Sequence, residues 1–318
     1  MKKIKQLIIL SILIISCGDM ETVIDLDIPP HDPVLVLNGR LDTDTSVKVL
    51  ISRSVGAFDT ASPQMVNNAN ALLFEDNLFI DSLEIDLANT IFPYVQGNDW
   101  SQIAMNYYKS DYIPIKDKTY KIEVTHPNFN NISGSTYVPN DIILKNITID
   151  TTSNDDRINF QFSFDDNINQ QNYYALALNV ACNKSYYDEY GYLENYSYRG
   201  LVNMSSNDPS FPVNDIFSGY TFVDDEVIFS DALFNGQEKN ISIDLFYEDF
   251  KFGDCDTINF EFSTFSNDAY VYYNSLENQR EEGFADIFGG EVVPVYTNIT
   301  NGLGMLISRN VQKVYVKP

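Results

Sequence analysis

The chain has 318 residues, with 20 lysines and arginines against 45 aspartates and glutamates, and a formal charge of −25. This excess excludes nucleic acid as a partner, because phosphate binding depends on clustered Lys and Arg, and it argues against adsorption to anionic lipid. It describes a solvated, self-repelling surface instead.

The chain opens with Met1-Lys2-Lys3, and the run Leu7 to Ile15, apolar except for Ser11, leads into Ile14-Ile15-Ser16-Cys17. A basic end, a short apolar stretch and a small residue before cysteine form the pattern of a bacterial lipoprotein signal. A spanning helix needs roughly 20 apolar residues, about twice what this run supplies. The expectation is a signal peptide at 1–16, cleavage before Cys17, acylation of Cys17 with chains such as palmitate, and a lipidated tether at 17–31. Removal of Lys2, Lys3 and Lys5 with no acid takes the charge from −25 to −28. The residues after the cysteine, Gly18-Asp19-Met20-Glu21, resemble the acidic signals that send lipoproteins of the Bacteroidota phylum to the cell surface. The expected location is the outer membrane, lipid-anchored and facing outward.

Beyond the tether, apolar and polar residues alternate. The runs are Val47-Val49-Ile51, Tyr120-Ile122-Val124, Ile158-Phe160-Phe162-Phe164, Tyr174-Leu176-Leu178-Val180, Ile241-Ile243-Leu245-Tyr247, Ile258-Phe260-Phe262 and Val314-Val316. Period two is the mark of a strand with one buried face, and Asn, Asp, Gly and Ser clusters supply the turns between runs. Helical spacers are missing, which disfavours a parallel α/β sheet. About 300 mature residues exceed what one core usually serves. Val138-Pro139-Asn140-Asp141 interrupts the alternation, and a new pattern starts at Ile147. The expected fold is therefore mainly β, with two antiparallel β-sandwich domains of immunoglobulin or fibronectin type at 32–139 and 140–318. Lys118 to Pro127 resembles a late strand of such modules, with Tyr120 entering at a corner. One short helix is expected in the second domain, from Ser266 to about Gln279, capped by Ser266 or Asn267 and packed through Tyr270, Tyr273 and Leu276.

Two long segments do not alternate, 86–117 and 183–225. The first contains Tyr94, Trp100, Tyr107, Tyr108 and Tyr112; the second contains Tyr186, Tyr187, Tyr190, Tyr192, Tyr196 and Tyr198. Tyrosine gives amphipathic contact area, and long segments of this kind tend to carry function, so these side chains are candidates for a partner or ligand surface. Hairpin extensions whose rings pack on their own sheet are the competing reading.

Cys182 and Cys255 are the two cysteines besides Cys17 and would sit in an oxidising compartment. They are candidates for a disulfide, with two unpaired buried thiols as the other reading. Metal binding is not expected from two cysteines and the distant His31 and His126. No nucleophile elbow, zincin pair, phosphate loop or dinucleotide fingerprint is present, so neither catalysis nor a cofactor is expected. A carboxylate pair of glycosidase type carries no signal among 45 acids.

The ending is the most distinctive segment. Glu291-Val292-Val293-Pro294-Val295 followed by Asn298-Ile299-Thr300-Asn301-Gly302-Leu303-Gly304 resembles the "EPV…SNI.NGLGIF" ending of the lipoprotein family known as domain of unknown function 4249. Thr297 stands where that family often has Ser, and Met305-Leu306 stands for Ile-Phe. The lipobox, Asp27-Ile28-Pro29 followed by Leu35-Val36-Leu37-Asn38-Gly39, and a Tyr-x-Tyr helix also fit. The resemblance implies an accessory lipoprotein that partners a TonB-dependent outer-membrane receptor in nutrient uptake or envelope assembly, with no catalytic residues. A free-standing adhesin or glycan-binding lipoprotein is the alternative. In the residues themselves, 298–304 reads as a structural turn in which glycine permits positive φ.

Overall fold

The computed structural model of the protein describes residues 31–56, 64–92, 103–150, 157–187, 189–201, 204–211, 227–246, 254–282 and 293–316. The first strands are β1 (Leu35–Asp42), β2 (Lys48–Arg53), β3 (Gln64–Met65), β4 (Asn70–Glu75) and β5 (Leu78–Ile85). A short β6 (Tyr108–Lys109) precedes β7 (Lys118–His126) and β8 (Phe129–Val138). After Pro139 come β9 (Leu144–Asp150), β10 (Arg157–Asp165), β11 (Tyr173–Tyr187), β12 (Leu193–Leu201), β13 (Met204–Ser205) and β14 (Val227–Ser230). Then follow β15 (Glu238–Phe246), β16 (Asp254–Phe265), α1 (Asn267–Glu282), β17 (Ile299–Thr300) and β18 (Leu303–Val316).

Fourteen strands form one sheet in the order β12-β11-β16-β18-β1-β2-β6-β5-β4-β7-β8-β17, with β14 on β11 and β3 on β2. A four-stranded sheet has the order β13-β15-β10-β9. The period-two runs form strands because every second residue enters a core: Leu35, Leu37 and Leu41 on β1, Tyr120, Ile122 and Val124 on β7, Phe160, Phe162 and Phe164 on β10. Each such side chain contributes roughly 1.5–3 kcal/mol on burial, which fixes register against a one-residue slip.

The large sheet curls until β8 meets β18. Ser308 Oγ donates to Tyr137 O at 2.7 Å, and Asn298 Nδ2 donates to Ser135 O at 3.0 Å. Gly134 permits this approach, since a Cβ there would lie 2.5 Å from Ile299 Cδ1. The curl encloses a core of residues between Leu35 and Val138, joined by Ile299 and Leu306. A second core lies between the two sheets. Phe160 and Phe162 meet Phe260 with centroids 4.9 and 4.8 Å apart, and Phe164 meets Tyr174 at 4.9 Å, in the tilted and edge-on arrangements aromatic rings prefer.

The fold is mainly β with a single α-helix among the described residues. One curled sheet runs through both cores where two separate sandwiches were expected, because β18 pairs with β1 in parallel on one side and with β16 on the other. The chain on either side of 139/140 supplies a different core, except that Ile299 and Leu306 return to the first.

The helix α1 covers 267–282, three residues longer than the expected end. Ser266 Oγ accepts the Ala269 N–H at 3.2 Å, the bond expected of a helix cap, and also the Ser308 N–H at 3.2 Å, which pins the helix start to β18. Ala269 and Tyr273 bury against Tyr173, Ala175, Phe265 and Ile307 on the outer face of the large sheet. No helix among the described residues is long and apolar enough to cross a membrane, which says nothing of strands.

Candidate functional site

The β11–β12 hairpin exposes its aromatic residues. Tyr187, Tyr190 and Tyr192 are 72%, 77% and 69% exposed, and Leu193 beside them is 53% exposed. Gly191 makes the turn with φ +84. The last rung that joins β11 to β16 is Asn183 with Asp254; residues 184–187 pair with β12 alone among the described strands. The hairpin carries these rings at its tip. Exposed aromatic clusters of this kind mark contact surfaces more often than packing.

Of the other candidates, Tyr107 is half-buried, with Lys48 Nζ 5.3 Å from its ring centroid. It borders a polar cavity of about 460 Å³ lined also by Arg40, Asp42, Asp44, Arg309 and Lys313. Arg309 Nε donates to Asp42 Oδ1 at 2.9 Å, and Arg40 Nε approaches the same oxygen at 3.4 Å. Lys313 Nζ donates to Asp44 Oδ2 at 2.6 Å; that bond, opposed by partial burial, holds the ammonium above its usual pKa. Sequence reading missed this recess because its polar residues occupy the non-core positions of alternating strands, and nothing local reveals that β18 lies beside β1.

Tyr108 departs from its expected place on a binding surface. It is 2% exposed, and its hydroxyl donates to Val66 O and accepts the Ala69 N–H, both at 2.9 Å. Burial pushes its pKa up. Tyr108 is a core residue because β6 bridges β2 and β5 with that side chain turned inward. Tyr112 is half-buried and bonds Glu75 through its hydroxyl. Tyr120 accepts the Ile115 N–H at 2.9 Å, the bond to upstream backbone that a tyrosine corner makes.

Cys17, Tyr94 and Trp100 lie outside the described residues, as do the side chains of Tyr186, Tyr196, Tyr198, Cys182 and Cys255. The backbone nonetheless sets Cys182 of β11 across from Cys255–Asp256 of β16, between the rungs Ala181–Thr257 and Asn183–Asp254.

His31 Nε2 bonds Ser54 Oγ at 2.8 Å, and the same oxygen accepts the Val34 N–H at 2.9 Å, so this pair joins the start of β1 to the end of β2. His126 bonds Asn68 at 3.0 Å. Among the described residues no group of three His, Cys, Asp or Glu could hold a metal ion.

The ending 298–304 is a clasp. Asn298 Oδ1 accepts the Leu306 N–H at 2.9 Å, and its Nδ2 donates to Leu306 O at 2.7 Å. Asn301 adopts φ +59, and Gly304 adopts φ +100 where a Cβ would sit 2.2 Å from Leu37 O. The family model Domain of unknown function (DUF4249) matches residues 21–314 of the chain, a span that includes this clasp. No curated protein matches the chain.

Proposed function

The chain belongs to the family of domain of unknown function 4249, and from that premise we propose that it is a surface-exposed outer-membrane lipoprotein, acylated at Cys17, that partners a TonB-dependent receptor. Its role is non-enzymatic, in nutrient uptake or envelope assembly. The observation that carries the contact is the β11–β12 hairpin, whose Tyr187, Tyr190 and Tyr192 stand exposed at its tip. Rigid aromatic rings cost little side-chain entropy on docking, which suits them to a partner interface.

The polar cavity beside Tyr107 favours a second reading, a free-standing glycan-binding or adhesive lipoprotein. Affinity purification of the native lipidated protein from detergent-solubilised outer membrane separates the two. A stoichiometric receptor that is lost from the variant with Tyr187, Tyr190 and Tyr192 all changed to Ala supports the partnership. Recovery of the lipoprotein alone, in a detergent that keeps other receptor complexes intact, supports the second reading instead.

A further inference from the structure

We propose that Cys182 and Cys255 form a disulfide that fastens the root of the tyrosine-tipped hairpin to the central sheet. The inference deepens the partner reading and rests on it for one condition, export to an oxidising compartment.

Strand register carries the proposal. Ala181 pairs with Thr257 and Asn183 with Asp254, so the single residue Cys182 stands against the two residues Cys255 and Asp256. A β-bulge opposes two residues to one in this way. Opposed Cα atoms in an antiparallel ladder lie about 4.5–5.5 Å apart, inside the roughly 4.4–6.8 Å that a disulfide spans. These are the only cysteines apart from Cys17, and pairing of β11 with β16 brings them from distant parts of the chain to one bulge.

The bulge's position gives the bond a purpose. Cys182 also pairs with Tyr198 of β12, so it stands where β12, β11 and β16 run side by side. One residue later β16 begins, at Asp254, and past that point β11 has β12 alone beside it among the described strands. A covalent link here ties the root of the hairpin to the central sheet.

The bond forms by exchange with a protein or small-molecule disulfide. The thiolate of one cysteine attacks a donor sulfur and breaks the donor's S–S bond, leaving a mixed disulfide. The thiolate of the other cysteine then displaces the second donor sulfur. The two cysteines are oxidised by two electrons, and the donor leaves as two thiols carrying the two protons.

The test begins with the purified full chain treated with glutathione disulfide, blocked with N-ethylmaleimide and digested without reductant for mass spectrometry. The expected product is a peptide pair joined through Cys182 and Cys255, two hydrogens lighter than the separate thiol peptides. Maleimide or glutathione on both cysteines would overturn the pairing. Hydrogen exchange before and after reduction tests the fastening, with residues 184–201 expected to exchange about tenfold faster once reduced while β7 and β8 stay unchanged. Equal rates would overturn that role. Mapping of protein taken directly from cells tests the condition of export separately. A bond there supports it, whereas thiols that pair only with added glutathione disulfide count against export and leave the pairing standing.

Discussion

Asp42 and Arg309 are 267 positions apart and close on each other across the parallel β1–β18 rung, with Arg309 Nε donating to Asp42 Oδ1 at 2.9 Å. Both side chains are 9% exposed. Removing one member of a buried pair leaves the other charge desolvated, at a cost of several kcal/mol.

Arg309→Ala is expected to lower unfolding stability by about 3 kcal/mol, read from urea midpoints. Asp42→Ala should cost more, since Asp42 also has Arg40 Nε at 3.4 Å. A loss under about 1 kcal/mol for Arg309→Ala would mean the pair is screened like a surface salt bridge.

Gly304 and Gly191 both have positive φ, at +100 and +84, yet differ in surroundings. A Cβ at Gly304 would lie 2.2 Å from Leu37 O, whereas Gly191 has open space around it. Gly304→Ala should cost about 4 kcal/mol or prevent folding, and Gly191→Ala about 1 kcal/mol. Similar thermal shifts for the two variants would contradict the clasp.

Tyr108→Phe should destabilise by about 1–2 kcal/mol, because it leaves the buried Ala69 N–H and Val66 O without their hydroxyl partner. Tyr187→Phe, at a residue 72% exposed, should fall within about 0.5 kcal/mol of wild type. The pair of denaturation curves distinguishes core tyrosine from surface tyrosine.

Burial raises the pKa of Asp231 above its ordinary 3.8, and the Asp166 charge adds to this against the bond from the Asn172 N–H. Well below 3.8 the carboxyl is protonated in both states, and as pH rises the folded state carries a growing cost of ionisation. Asp231→Asn cannot ionise and can still accept the Asn172 N–H, so its stability relative to wild type should increase as pH rises above 3.8. A difference that stays constant with pH would rule this out.

Labelled palmitate should enter the wild-type protein and not Cys17→Ser, which should also move to the aqueous phase on detergent partitioning. Equal labelling of both would remove the lipoprotein assignment.

The strands were legible because alternation is local: Phe160, Phe162 and Phe164 announce a buried face without reference to partners, and Ser266 announces a helix start. The parallel pairing of Leu37 with Gly304 was not legible, since it joins residues far apart whose side chains carry no mark of each other. The same reason hid the recess around Arg309. Tyrosine composition found the exposed tip at Tyr187, Tyr190 and Tyr192, but it also selected Tyr108, because a count of rings in a segment does not say which side of β6 each one takes. The ending 298–304 was legible as a turn from its Asn and Gly residues, and the bonds of Asn298 to Leu306 tie that turn back to β18.

The parallel β1–β18 pair has a consequence for the order in which the protein can be built. β1 emerges among the first described strands, but one of its edges stays bare until β18 arrives, more than two hundred and fifty residues later. During synthesis the early strands therefore present backbone donors and acceptors along β1 to any passing extended chain. Such late, long-range closure makes for slow folding, and a polypeptide interrupted before Leu303 would keep an adhesive edge that the finished one conceals.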